Sequence, residues 1–118
     1  MTFKDKTSAL IPAYNAQATI ARAIRSIANQ VAEIIVVDDG SIDDTVEVAR
    51  QLNYPHLTII ETKINRGIGY SRQKLLDHCE TKYGIWLDAD DEALPARVEC
   101  MGRYFSKGVG WVYGAAEL

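Results

Sequence analysis

Short apolar runs recur along the chain, and between them the apolar residues fall at helical spacing. The runs are Ala9-Leu10-Ile11, Ile34 to Val37, Leu57 to Ile60, Ile85 to Leu87 and Trp111 to Tyr113. They are rich in β-branched and aromatic residues and bounded by polar or Gly-containing segments, the pattern of strands. One apolar stripe joins Ile20, Ala23, Ile24 and Ile27, with Asn15 as the expected N-cap. A second joins Val46, Ala49 and Leu52, entered through a capping-box-like pair, Ser41 and Asp44. A third joins Ile68, Leu75, Leu76 and Cys79. A fourth joins Leu94, Val98, Met101 and Phe105, with Pro95 suited to its first turn.

Strands alternating with helices predict an α/β fold: a mostly parallel, Rossmann-like sheet with helices on both faces and right-handed crossovers. Burial on both faces explains why Ile34-Ile35-Val36-Val37 is apolar without alternation. At 118 residues the chain fits one domain, and no Pro/Gly-rich linker divides it. A hydrophobic fraction of 47% with 25% charged residues is that of a globular chain able to build a core.

A formal net charge of −3 speaks against nucleic acid as a partner. Cys79 and Cys100 lack the spacing of a metal knuckle or redox pair and are expected as buried thiols in a reducing compartment. No apolar run approaches the ~20 residues that span a bilayer, and no secretory leader is seen. A cytoplasmic location is expected, with membrane association through a segment outside this chain, or through a partner, left open.

In a parallel sheet all strand ends share one edge, where ligands bind at the point of strand-order reversal. The loops after the first four strands carry Pro12-Ala13-Tyr14-Asn15, Asp38-Asp39-Gly40-Ser41, Asn65-Arg66-Gly67-Ile68-Gly69 and Asp88-Ala89-Asp90-Asp91. The opposite edge is plainer. Three carboxylates at one strand end repel unless compensated. Mg²⁺ or Mn²⁺, hard cations that prefer oxygen ligands, would remove that penalty and bridge the carboxylates to a diphosphate. The competing reading is a solvated acidic turn in which Asp90 or Asp91 caps a helix near Leu94.

After the second strand, Asp39 is expected to accept hydrogen bonds from a base edge or ribose hydroxyl, while Gly40 permits the turn and Ser41 starts a helix. The Tyr14 ring suits a planar base, or else packs on the neighbouring loop. Arg66 and Arg72 flank the start of the third helix and can pair with phosphates. His56 and His78 lie far from these loops and receive no catalytic role.

In this order the motifs resemble a family-2 glycosyltransferase of the GT-A fold. The stretches that carry the resemblance are Ile11 to Asn15, Ile35 to Ser41, Asn65 to Gly67 with Ser71-Arg72, and Leu87 to Asp91. The resemblance implies transfer of a sugar, usually with inversion, from a nucleotide-diphosphate donor to an acceptor hydroxyl on a saccharide, lipid or protein. It places Tyr14 and Asp39 at the base, with Pro12 and Asn15 in the same nucleotide-sugar-binding stretch. It sets Asp88 at the ribose, Asp90 and Asp91 at the metal, and Arg72 near the donor. Ser71-Arg72-Gln73 stands where Ala-Arg-Asn is more usual, and Leu75 where a small Gly is common.

The resemblance further implies that residues 1–118 form the nucleotide-sugar-binding domain and lack the C-terminal acceptor half with its catalytic base. Two rival expectations accompany it. One is a truncated, non-catalytic nucleotide-sugar-binding module. The other is a receiver-like signalling domain, disfavoured because the acidic pair follows the second strand. A sheet edge left open is expected to favour a homodimer.

Overall fold

A strand flanked by neighbours on both sides and helices on both faces has no contact with water, and the strand from Thr7 to Ala13 (β1) is buried at all seven positions. The computed structural model describes residues 2–106; the strand expected at Trp111 to Tyr113 lies outside them. After β1 come α1 (Ile20–Ile27), β2 (Glu33–Asp38), α2 (Thr45–Arg50), β3 (Leu57–Glu61), α3 (Ile68–His78), β4 (Tyr83–Trp86) and α4 (Arg97–Ser106). The sheet is parallel throughout, in the order β3-β2-β1-β4.

That order fixes where the helices lie. The chain steps outward from β1 to β2 to β3, then returns past both to pair β4 with the far side of β1. Right-handed crossovers then put α1 and α2 on one face and α3 on the other. The α1 face holds the larger core, in which Ile20, Ala23, Ile24 and Ile27 meet Ile11, Ile34, Val36 and Ile85. These four helix residues are spaced i, i+3, i+4, i+7 and have no exposed surface. Burying each Ile stabilises the fold by about 1.5–3 kcal/mol relative to leaving it in water. The opposite face is thinner: Leu10, Ile35, Val37 and Leu75, with Ile60 and Cys79 against them.

Several sequence expectations need correction. Asn15 does not cap α1. The chain enters that helix at Thr19, and Asn15 adopts φ +48° with its side chain engaged elsewhere. The Ser41–Asp44 capping box does not form either. Asp43 accepts the Thr45 amide and hydroxyl instead, a local turn that starts α2. The third stripe is narrower than expected, since Ile68 and Leu76 are more than half exposed and Leu75 carries the packing. The fourth helix starts at Arg97, after Pro95 and an Ala96 held at φ +66°. Cys79 and Cys100 are unpaired, but Cys100 is exposed and Cys79 only half-buried.

Replacing Ile24 with Ala leaves a cavity at the centre of the larger core and should cost about 2–5 kcal/mol. The expected readout is a lower urea midpoint with an unchanged slope.

Candidate functional site

The strand order reverses between β1 and β4, and the two strands are staggered there. Their pairing ends with Leu10 opposite Trp86, whereas β1 continues to Ala13. The amide of Leu87 still donates to the Leu10 carbonyl, and the chain then turns away through Asp88 to Asp91. The stagger leaves a notch beside Pro12. There lies a hollow of about 550 Å3, lined among others by Tyr14, Asn15, Arg72, Asp88 and Asp90.

A smaller hollow of about 220 Å3 adjoins it, over the ends of β1 and β2. Its walls include Ala13, Asp39, Asn65, Gly67 and Ser71. Pro12, Tyr14 and Ile68 line both hollows, so the two are neighbours along one sheet edge. Tyr14 is 49% exposed, leaving its ring available to a ligand. The sequence-selected residues Pro12, Tyr14, Asn15, Asp39, Arg72, Asp88 and Asp90 are therefore brought together.

The loops are held in register by the Asp38-Asp39 pair. Asp38 accepts the Ser41 amide and hydroxyl at 3.1 and 2.5 Å. The Ser41 hydroxyl oxygen in turn accepts the Asn15 amide at 2.8 Å, and Asn15 Oδ1 accepts the Ile42 amide at 2.9 Å. Asp39, 5% exposed, accepts the amides of Arg66 and Gly67 at 2.8 and 2.9 Å, one on each carboxylate oxygen. Bonds from backbone N–H groups to a carboxylate are among the stronger ones a protein makes. Ser41 thus supports the turn as expected, though as a link between loops and not as a helix cap. Thr62, in no sequence motif, adds a hydroxyl bond to Asp39 at 3.3 Å.

Gly40 has φ +74°, and a Cβ there would lie 2.7 Å from the backbone of Ile64 and Asn65. Only glycine allows the second and third loops to touch at this point.

Asp88 and Asp90 line the larger hollow, and together with Asp91 each presents a carboxylate oxygen within 4.8 Å of the others. The turn closes through the Asp91 amide on the Asp88 carbonyl, and α4 begins only at Arg97, so no residue of the trio caps it. Three oxygen donors at this separation fit a hard divalent cation. Arg22 of α1 reaches the Asp90 carbonyl at 3.4 Å. No sequence motif contains Arg22, which lies in a helix remote from all of them. Arg72 lies over the Trp86 ring at 5.7 Å and Arg66 over Tyr70 at 5.1 Å. Arg72 lines the larger hollow; Arg66 contributes its backbone amide.

A larger hollow, of about 920 Å3, lies elsewhere, between α1 and the approach to α4. Ser26 and Gln30 tie its two walls together. Ser26 Oγ accepts the Ala93 amide, while Gln30 donates to the Leu94 carbonyl and accepts the Val98 amide. It is a structural seam.

Two variants test this framework. Gly40→Ala should cost about 1–3 kcal/mol in urea unfolding, through backbone strain and the collision with Ile64 and Asn65. Asp43 offers a pH test. The Thr45 hydroxyl first, then the amides of Thr45 and Gln17, hold its carboxyl below the ordinary value of 3.8. A carboxyl lowered on folding stabilises the fold above its unfolded value and loses that contribution as pH falls through the folded one. Between about pH 5 and about pH 2.5, the urea midpoint of Asp43→Asn should therefore fall less than that of the parent.

The family described as Glycosyl transferase family 2 matches residues 8–117. The chain is 34% identical over 106 residues to the uncharacterized glycosyltransferase YibD of Escherichia coli K12, covering 86% of this chain and 30% of that protein. It therefore spans about 30% of the length of that relative. The structure superposes on S. aureus TarS in complex with UDP with a TM-score of 0.78 at 24% identity, covering 86% of this chain and 32% of that one. It also superposes on the Pyrobaculum calidifontis mannosyltransferase PcManGT, in complex with GDP-Man and Mn2+, with a TM-score of 0.70. There the identity is 26%, and 81% of this chain and 30% of the other are covered.

Proposed function

The chain belongs to glycosyl transferase family 2, and from that premise we propose that it binds a nucleotide-diphosphate sugar with the help of a divalent metal, Mn²⁺ or Mg²⁺, for inverting transfer of the sugar to an acceptor hydroxyl. The supporting observation is that the hollow lined by Asp39 and the one lined by Asp88 and Asp90 share Pro12, Tyr14 and Ile68 as walls. Relatives of known structure were captured with UDP and with GDP-Man and Mn2+, which agrees with this class of donor.

Each residue has a separate task in this reading. The smaller hollow, below the roughly 300 Å3 at which pockets for whole ligands begin, takes only the base. Tyr14 lies against the ring and Asp39 accepts its N–H. Asp88 faces the ribose, and Pro12 and Asn15 shape the wall between base and sugar. Arg72 approaches the donor from α3. Asp90 and Asp91 would hold the metal, which when bound neutralises charge developing on the departing diphosphate. Inversion also needs a base to take the acceptor's proton. No described residue is assigned that role.

Calorimetry with UDP, GDP, CDP and dTDP, each with and without Mn²⁺, tests the reading. At least one should bind with metal, and binding should weaken about tenfold or more without it or in the Asp90→Asn/Asp91→Asn variant. Indifference of the chain to all four nucleotides, metal present, defeats the proposal. Release of nucleotide from a donor sugar by the purified chain tests transfer separately.

A further inference from the structure

Ser71 sits in the first turns of α3 and is 1% exposed, yet its Oγ has no hydrogen-bond partner. A buried hydroxyl left unpaired costs free energy that an alanine at the same helical position would not. The usual remedy for a helical serine is a bond back to the carbonyl one turn earlier. Here the Gly67 carbonyl takes the Ser71 amide at 3.2 Å, and the hydroxyl is not used. Ser71 belongs to the wall of the smaller hollow, together with Asp39. The oxygen is enclosed in this rotamer, and rotation about Cα–Cβ is the movement that lets a ligand atom at that wall engage it.

Asp39 defines the rest of the requirement. Each of its oxygens already accepts a backbone amide, and an ionised carboxylate only accepts. Whatever enters must offer it an N–H. We propose that the Ser71 hydroxyl donates to a ring carbonyl adjacent to the N–H that Asp39 accepts, making Ser71 a specificity-determining residue for a single-ring imide base, uracil or thymine. The inference rests on the donor-site reading above. An imide N–H has a carbonyl on each side, so the Asp39–Ser71 pair is met in either orientation of the ring. Cytosine lacks an imide N–H, and guanine has a carbonyl on only one side of its own. The hollow of about 220 Å3 also favours one ring over two.

The test is calorimetry of the whole chain with Mn²⁺, using UDP, 2-thio-UDP and 4-thio-UDP against the parent and Ser71→Ala. Sulfur accepts a hydrogen bond poorly, so one thio analogue should bind the parent about three- to tenfold more weakly than UDP. Ser71→Ala should lose the same factor for UDP and none for that analogue, closing the gap. Urea unfolding should show the variant at least as stable as the parent, so that lost binding is not lost folding. Equal affinity of parent and variant for UDP, or a gap that persists in the variant, removes Ser71 from base recognition and leaves the donor site standing. A parent that prefers CDP or GDP to UDP overturns the imide assignment. Failure of every nucleoside diphosphate to bind either protein overturns the donor-site reading itself.

Discussion

The buried carboxylate of Asp39 is the constraint on which the ligand edge depends. Leaving it unpaired at 5% exposure would cost several kcal/mol, and the amides of Arg66 and Gly67 remove that cost by donating to both oxygens. The consequence is mechanical. The loop after β3 is pulled down onto the end of β2, and Gly67, at φ +94°, turns the chain directly into α3. Ser71 and Arg72, one turn further on, are thereby placed at the same edge. The contact between Gly40 and the loop backbone is possible only because neither a side chain nor a longer turn intervenes.

Asp38 plays the matching part for the first loop. Its bonds to Ser41, and those of Ser41 and Ile42 to Asn15, fasten the chain after β1 to the chain after β2. The two neighbouring aspartates thus hold one loop on each side of β2. The acidic turn after β4 is different. Asp88 and Asp90 are exposed, and their mutual repulsion is relieved in part by water. Two carboxylates of the edge are thus committed to holding the backbone, while a separate cluster remains open to a cation.

The asymmetry of the two sheet faces follows from topology. Strands stepping outward put α1 and α2 together over one face, and the single return crossover leaves α3 alone on the other. That helix packs through Leu75 and exposes Ile68 and Leu76. The spacing of Ile68 predicts a core residue, because a helical stripe marks apolar positions and carries no information on how much of the opposite face exists. Ile68 instead forms a wall common to both hollows. Among the described residues, no helix is long and apolar enough to cross a membrane.

Strand and helix identity was determined by the sequence, because burial on both faces of a parallel sheet demands runs such as Ile34 to Val37, and a helix packed on one side demands the spacing of Ile20 to Ile27. The location of the acidic motifs at one edge followed as well, since every strand of a parallel sheet ends on the same side. Hydrogen-bond partners were decided only by the folded chain. Asn15 and Ser41 have the chemistry of helix caps, and nothing local distinguishes a cap from a link between loops 26 residues apart in sequence. Likewise Ser71, Thr62 and Arg22 acquire their places from strand order and the β1–β4 stagger, which bring distant segments within bonding reach and which no periodicity along the chain encodes.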